Sequence, residues 1–410
     1  MNESINCILV TPHGRSGSLF IQSLFDGHHQ VVSLPGLGMS YSFPHSIFDV
    51  VAALDEFIRK HPDVFDSSKS YLGIPGERVT CLFGPGQNQH LYVDSMEFRK
   101  NALHDEFDSW VKEERPISRK DFVIGVHKAF ARTIGQNPSK IKYILIHAHS
   151  YDGSHDRALD DFPDLFYVAM ARDPREDWLS WDKVCALRTG AGYTKISILM
   201  RNNTIRLYAD SVHKLYLFSL KLHPGQLRII DLNRFHELNR EAMVSLAGYF
   251  GIEFQDILLE STFLRKLWWG NSADRIPISG FDSKKIPYNW TTKLSKEDEA
   301  AISSALMEPI RMLNYPTGTY SSGFVLRTPC KPIVDMFIRT LASSIRNVAN
   351  RNQYNNKILR RIPLVIVKTV HISYEIYSNT VELAKSLYGR NKQPNYAALK
   401  GRMFDPADFL

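Results

Sequence analysis

Four consecutive residues near the front of the chain, Arg15-Ser16-Gly17-Ser18, bring a permanent cation, two hydroxyls and a glycine to one turn. The apolar run Ile8-Leu9-Val10 and the breakers Pro12 and Gly14 precede them; Leu19, Phe20 and Phe25 follow at a spacing that predicts a short helix stopping at Gly27. A turn from strand into helix aims unpaired backbone N–H groups at one point, which suits phosphate or sulfate, and an arginine fork adds to that attraction. His13 and Gly14 lie inside the same loop, and His13 reads as a contact to the bound group rather than a base. A buried strand–turn–helix with no ligand accounts for these residues equally well. A Walker A loop does not, because that motif needs a lysine after its second glycine and Ser18 stands there.

A second constellation lies farther on. The run Leu165 to Ala171 ends at Arg172, Asp173-Pro174 turns the chain, and the next predicted helix carries Ser180, eight residues past Arg172. An arginine fork and a hydroxyl can converge on one phosphate. Two more apolar runs, DFVIGVHKAF (121–130) and KYILIHAHS (142–150), read as buried parallel strands, which would put His127-Lys128 and His147 with His149 at strand ends. Ligands gather at such ends in open α/β sheets. A histidine there suits proton abstraction, since its ordinary pKa of about 6.5 leaves much of it neutral.

The elements that must hold these residues alternate strand and helix. They predict an α/β fold with three layers, a mostly parallel sheet with helices on both faces, and a C-terminal helical extension. Gln30 to Gly36 reads as a second short strand. Residues 38–118 read as an insertion next to the site, helical over Ser46–Lys60 and Ser95–Glu114, with a Gly/Pro-rich patch between; a plain packing layer is an equal alternative. DGSHDRALDDF (152–162) reads as a helix.

Composition narrows the class. In 410 residues, 44% are hydrophobic and 23% charged, as in globular proteins rather than disordered chains. The four cysteines are scattered with no C-x-x-C pair, so neither a zinc site nor a disulfide framework is expected, and a reducing compartment is. No basic segment followed by an apolar one opens the chain, so the expected location is cytoplasmic. Charge is uneven: 50 Lys and Arg face 43 Asp and Glu overall, and residues 331–410 hold 13 against 5. The basic excess therefore belongs to that tail, whose amphipathic patterns run over 334–349 and 363–388. The tail either covers the catalytic domain, taken as residues 1–330, or lies on an anionic membrane at its cytoplasmic face. Its longest apolar run is too short to span a bilayer, and no motif supports nucleic-acid binding.

Taken together and in order, the two motifs resemble those of PAPS-dependent sulfotransferases. That family has a P-loop-like 5′-phosphosulfate loop of the form [KR]-S-G-[ST] after its first strand, matched by Arg15-Ser16-Gly17-Ser18. It also has an R-D-P-R motif at a strand end with a serine eight residues past the first arginine, matched by Arg172 and Ser180. Residues 226–254 are similar to the family's following strand and helix, with Asp231-Leu232 a partial match to its acidic-Asp-Leu signature. Residues 261–272 resemble its late nucleotide-closing loop and contribute Arg265, Lys266, Trp269, Gly270 and Asn271. The resemblance implies a P-loop NTPase-like fold over roughly residues 5–325 and PAPS as co-substrate, with PAP as product and no metal. The acceptor it implies is a hydroxyl, first of all on a carbohydrate or glycolipid.

It also implies roles. Arg15, with Gly14, Ser16, Gly17, Ser18, Leu19 and Phe20, would grip the phosphosulfate, and Arg15 would assist the leaving phosphate. Leu19 departs from the pattern, where a second hydroxyl residue is common. His149 stands where the family's catalytic histidine ends a strand, but His147 occupies the place of its lysine, for which Lys128 is a substitute. His127 is the alternative base, and a carboxylate such as Glu56 or Asp94 a further one. Two rival classes stay open: a non-catalytic PAP-binding adaptor, and a nucleotide-dependent phosphotransferase on the same plan.

Overall fold

The computed structural model describes residues 5–35, 43–65, 93–148, 153–189, 196–267, 279–282 and 288–316. The tail beyond residue 316, and with it the expected C-terminal helices, lies outside them. The chain divides into two compact units. One takes residues 1–172, 214–288 and 398–410, and the other residues 173–213 and 289–397.

The first unit is built on a five-stranded sheet. Its strands are β1 (Asn6–Pro12), β2 (Val31–Ser33), β3 (Tyr143–His147), β4 (Phe166–Ala171) and β5 (Leu227–Asp231), in the spatial order β2-β3-β1-β4-β5. Every pair is parallel. The expected α/β architecture is therefore present. Both faces are dry, which explains the uninterrupted apolar runs. Ile8, Val10, Leu145, Val168, Met170 and Ile230 join one core with residues of two helices, α1 (Ser18–Leu24) and the long one at Leu232–Phe250. The alternate positions Cys7, Leu9, Ile144, Ile146, Ala169 and Ile229 are equally buried on the other face.

The described parts of residues 43–118 are mainly helical, with boundaries shifted from those expected. Helix α2 (Val50–Lys60) starts later than its pattern suggests, because Ser46–Ile47 pairs antiparallel with Ile117–Ser118 and Asp49 then caps the helix on the Ala52 N–H. Helix α3 (Ser95–Asn101) continues through a π-turn, Ala102–Glu106, to a last helical piece at Asp108–Glu113. An aromatic cluster of Phe43, Phe57, Phe98, Phe107 and Phe122 holds these pieces together.

One expected strand is a helix. Residues 121–130 lie within α4 (Arg119–Thr133) and add nothing to the sheet. Ser118 caps it by accepting from the Asp121 N–H at 3.0 Å, and the Ser118 hydroxyl donates back to the Asp121 carboxylate at 2.6 Å. Phe122, Val123, Val126, Ala129 and Phe130 are buried at a helical, not an alternating, spacing. Helix α5 (Ser154–Asp161) falls where expected. Arg119 and Asp161, each about 6% exposed, join α4 to α5 through two hydrogen bonds of 2.6 and 3.0 Å.

The second unit is helical over its described residues. Helix α6 (Pro174–Thr189) opens on a proline, which suits a first turn. Its anchor is Arg175, wholly buried. Its guanidinium forks onto both oxygens of Asp173 at 2.9 and 2.6 Å, donates to the Pro316 carbonyl at 2.7 Å and stacks 3.7 Å above the Trp290 ring. The Trp290 backbone N–H donates to the Glu176 carboxylate at 2.8 Å. The helix α7 (Ile196–Ser219), absent from the sequence reading, begins in this unit, and its last residues belong to the first. Arg201 pairs with Asp298 on α8 (Lys296–Ala305).

Candidate active site

Strand register decides which residues meet. Val10 of β1 lies beside His147 of β3, and Pro12 beside Met170 of β4. The loop that leaves β1, the end of β3 and Arg172 after β4 therefore share the carboxyl edge of the first unit's sheet, with β1 in the middle. The His13 N–H continues the ladder, donating to the Met170 carbonyl at 2.9 Å and to the Ser16 hydroxyl at 3.0 Å.

The loop owes its shape to glycine. Gly14 and Gly17 have φ of 66° and 83°, a region that costs other residues steric strain. At Gly17 space is closed as well: an added Cβ would lie 2.5 Å from Leu232 Cδ1. Leu232 thus roofs the loop's glycine, while Asp231 caps the helix Leu232–Phe250 on the Arg234 N–H at 2.8 Å. This gives the partial Asp-Leu signature a physical role that the sequence reading had not assigned.

Side chains of the loop go different ways. Arg15 is half-buried, and its carbonyl accepts from Arg172 Nη1 at 3.5 Å, which joins the two motif arginines directly. Ser16 is fully buried beneath the loop. Ser18, nearly buried, shares a 2.7 Å hydrogen bond with His147 Nε2. His13 is 2% exposed, and burial lowers its pKa to about 4 against the opposing bond to the Met170 carbonyl. Its ring is thus buried and neutral within the loop. On the opposite sheet face, Thr11 bonds His155 Nε2 of α5 at 3.1 Å.

Several expected residues are placed elsewhere. The Leu19 and Phe20 side chains enter the core. Phe20 stacks on His236 at 4.6 Å and meets Phe281 edge-on at 5.3 Å, so only their backbones can serve the loop. His127 ends no strand. It lies buried within α4, its Nδ1–H donating to the Val123 carbonyl at 2.7 Å, and burial lowers its pKa to about 4. Lys128 faces Glu106 of the insertion at 4.0 Å. Glu56 pairs with Lys60 at 2.7 Å, and Asp94 caps α3 on the Met96 N–H at 2.8 Å, so each carboxylate has a local structural task.

Arg265 turns back to the far end of α1. Its N–H donates to Asp26 at 2.7 Å and its guanidinium to the Gly27 carbonyl at 2.6 Å. Thr262 donates to the same Asp26 at 2.8 Å. Seven residues of α1, about 10 Å of rise, separate these bonds from the loop. Lys266 is exposed on the two-residue ribbon that follows. Ser180 lies half-buried on α6 of the second unit. His149, Trp269, Gly270 and Asn271 lie outside the described residues.

The sequence places His147 at a strand end and Leu232 in a partial motif, but neither the Ser18 contact of the one nor the Gly17 contact of the other is visible there. The face that His147 takes could have been found from strand parity, since it follows Leu145 by two and so faces the same side of the sheet as α1.

No family model matches the sequence, and no curated protein does. Among solved structures the chain is similar to a sulfotransferase domain from the curacin biosynthetic pathway, at 12% identity and TM-score 0.43 over 77% of this chain and 99% of that one. It is similar to the sulfotransferase domain of the Synechococcus PCC 7002 olefin synthase at 13% identity and TM-score 0.44, over 77% and 97%. A sulfotransferase of Mycobacterium tuberculosis H37Rv is similar at 13% identity and TM-score 0.31, over 62% and 70%.

Proposed function

We propose that this chain transfers a sulfuryl group from PAPS to an acceptor hydroxyl. The observation that carries the reading is one contact and its setting: the Arg172 guanidinium reaches the Arg15 carbonyl at the sheet's carboxyl edge. The phosphosulfate motif and the first arginine of the 3′-phosphate motif, distant in sequence, are therefore neighbours within one unit.

The reaction needs a grip on the donor, stabilisation of the leaving phosphate and removal of one proton. In the proposal the acceptor oxygen forms a bond to sulfur as the bond from sulfur to the bridging phosphate oxygen breaks. PAP leaves with that electron pair, and the hydroxyl proton goes to a base. The transition state is loose and in line, so positioning and charge do most of the work. Arg15, always protonated, is suited to the developing charge on the leaving phosphate. Arg172 is assigned to the donor's 3′-phosphate, with Ser180 joining it by the motif. His149 is assigned as base from its sequence position. The acceptor class to be tried first is a carbohydrate or glycolipid hydroxyl.

The test is a calorimetric titration with PAP, AMP and ATP on wild type and Arg172→Ala, followed by a transfer assay with labelled PAPS. Selective PAP binding that the substitution abolishes supports the reading. Equal binding of PAP and AMP removes the role of Arg172, and a preference for ATP replaces sulfuryl with phosphoryl transfer.

A further inference from the structure

The pair formed by Ser18 and His147 has a consequence for how the loop holds a ligand. Both side chains are nearly buried and 2.7 Å apart, on the α1 face of the sheet. A serine hydroxyl has one proton to give. While it points at His147 Nε2, that proton is spent inside the protein and only lone pairs remain for a ligand. An anion in the loop accepts hydrogen bonds and offers none, so the hydroxyl must turn its proton toward the anion. Nε2 must then carry a hydrogen and donate to the serine oxygen, or a buried contact is lost.

We propose that His147 is a positioning residue that orients the Ser18 hydroxyl toward an oxyanion of the bound donor, by donating its Nε2–H to Ser18 Oγ. The proposal rests on the reading of this loop as the phosphosulfate site, and it assigns to His147 a task separate from that of the base. It also gives a reason for an imidazole here. The group must reach from β3 to the first residue of α1 and offer one directed donor in a nearly dry setting. A neutral ring does so without burying a charge.

The test is a titration of PAP into wild type, Ser18→Ala, His147→Gln, His147→Leu and the Ser18→Ala/His147→Leu double variant, with inorganic sulfate as a second probe. Thermal unfolding checks that each variant is folded. Glutamine can set an amide N–H where Nε2 stands; leucine fills similar space with no donor. The expected result is a loss of about tenfold in PAP affinity for Ser18→Ala and for His147→Leu, a double variant no weaker than either single one, and near-wild-type affinity for His147→Gln. Equal behaviour of glutamine and leucine, or losses that multiply in the double variant, overturns the proposal and leaves the donor site standing. Wild type that binds sulfate but not PAP overturns the donor reading, and the same variants measured with sulfate then decide the hydroxyl's orientation by the same pattern. Wild type that binds neither probe overturns both.

Discussion

At the scale of single residues, the site depends on what a side chain would displace. Gly17 combines a φ of 83° with a Cβ position 2.5 Å from Leu232. Gly17→Ala is therefore expected to destabilise the protein by about 2–3 kcal/mol, read as a lower denaturation midpoint in urea, and to weaken PAP binding as the loop shifts. Leu232→Ala in the same background relieves the clash but not the backbone strain, so it recovers only part of the loss. Placement was readable in advance where a motif follows an apolar run: Arg15 and Ser18 follow β1, Arg172 follows β4, and the three lie at one sheet edge. It was not readable where a partner lay far away in sequence. Arg265 has the composition of a nucleotide contact, yet Asp26 and the Gly27 carbonyl take it, and neither bond follows from the residues around position 265.

Secondary-structure elements show the same division. Parallel strands buried on both faces announce themselves as apolar runs, and the runs ending at Val10, His147 and Ala171 are strands. The run from Asp121 to Phe130 was read by the same rule and forms a helix, because short apolar runs do not reveal their period at sight. Ser118 and Asp121, a serine followed three residues later by an acid, are the start signal that separates the two readings. The Arg119–Asp161 pair between α4 and α5 is nearly dry. Arg119→Met leaves a buried carboxylate unpaired and is expected to cost about 3–5 kcal/mol in equilibrium unfolding, most of it regained in Arg119→Met/Asp161→Leu.

Acid should loosen the same element. His127 has a folded pKa of about 4, below its ordinary value, with burial as the main cause and nearby His61 as a lesser one; burial lowers His61 too. The unfolded chain thus binds more protons between pH 6.5 and 4. The stability that the His127 ring supplies is complete above about 6.5 and is lost as pH falls through 4. Urea midpoints measured across that range should fall, and His127→Asn, which keeps a donor for the Val123 carbonyl, should flatten the fall by about one proton.

At the scale of the whole molecule, the two units rest on different physics. The first has a sheet with two dry faces. The second, in its described residues, is centred on a buried charge: Arg175 is wholly enclosed by Asp173, Trp290 and the Pro316 carbonyl. Arg175→Lys keeps the charge but loses the fork and the stacked plane, and amide exchange in α6 is expected to speed up about a hundredfold. Unchanged exchange would mean that the salt bridge does not set the stability of that helix.

Among the described residues, no helix is long and apolar enough to cross a membrane. The central strand of the sheet has a further consequence, for the order in which the chain is made. Of the five strands of this sheet β1 is made first, and its two neighbours are residues 143–147 and 166–171. At about 10 residues per second, Cys7 to Val10 wait on the order of ten seconds for any partner in the sheet. During that interval an apolar segment that the folded sheet buries has no sheet partner. Nascent chains halted before residue 142 should therefore be held by chaperones or aggregate, and chains released past residue 231 should be the first able to close the sheet.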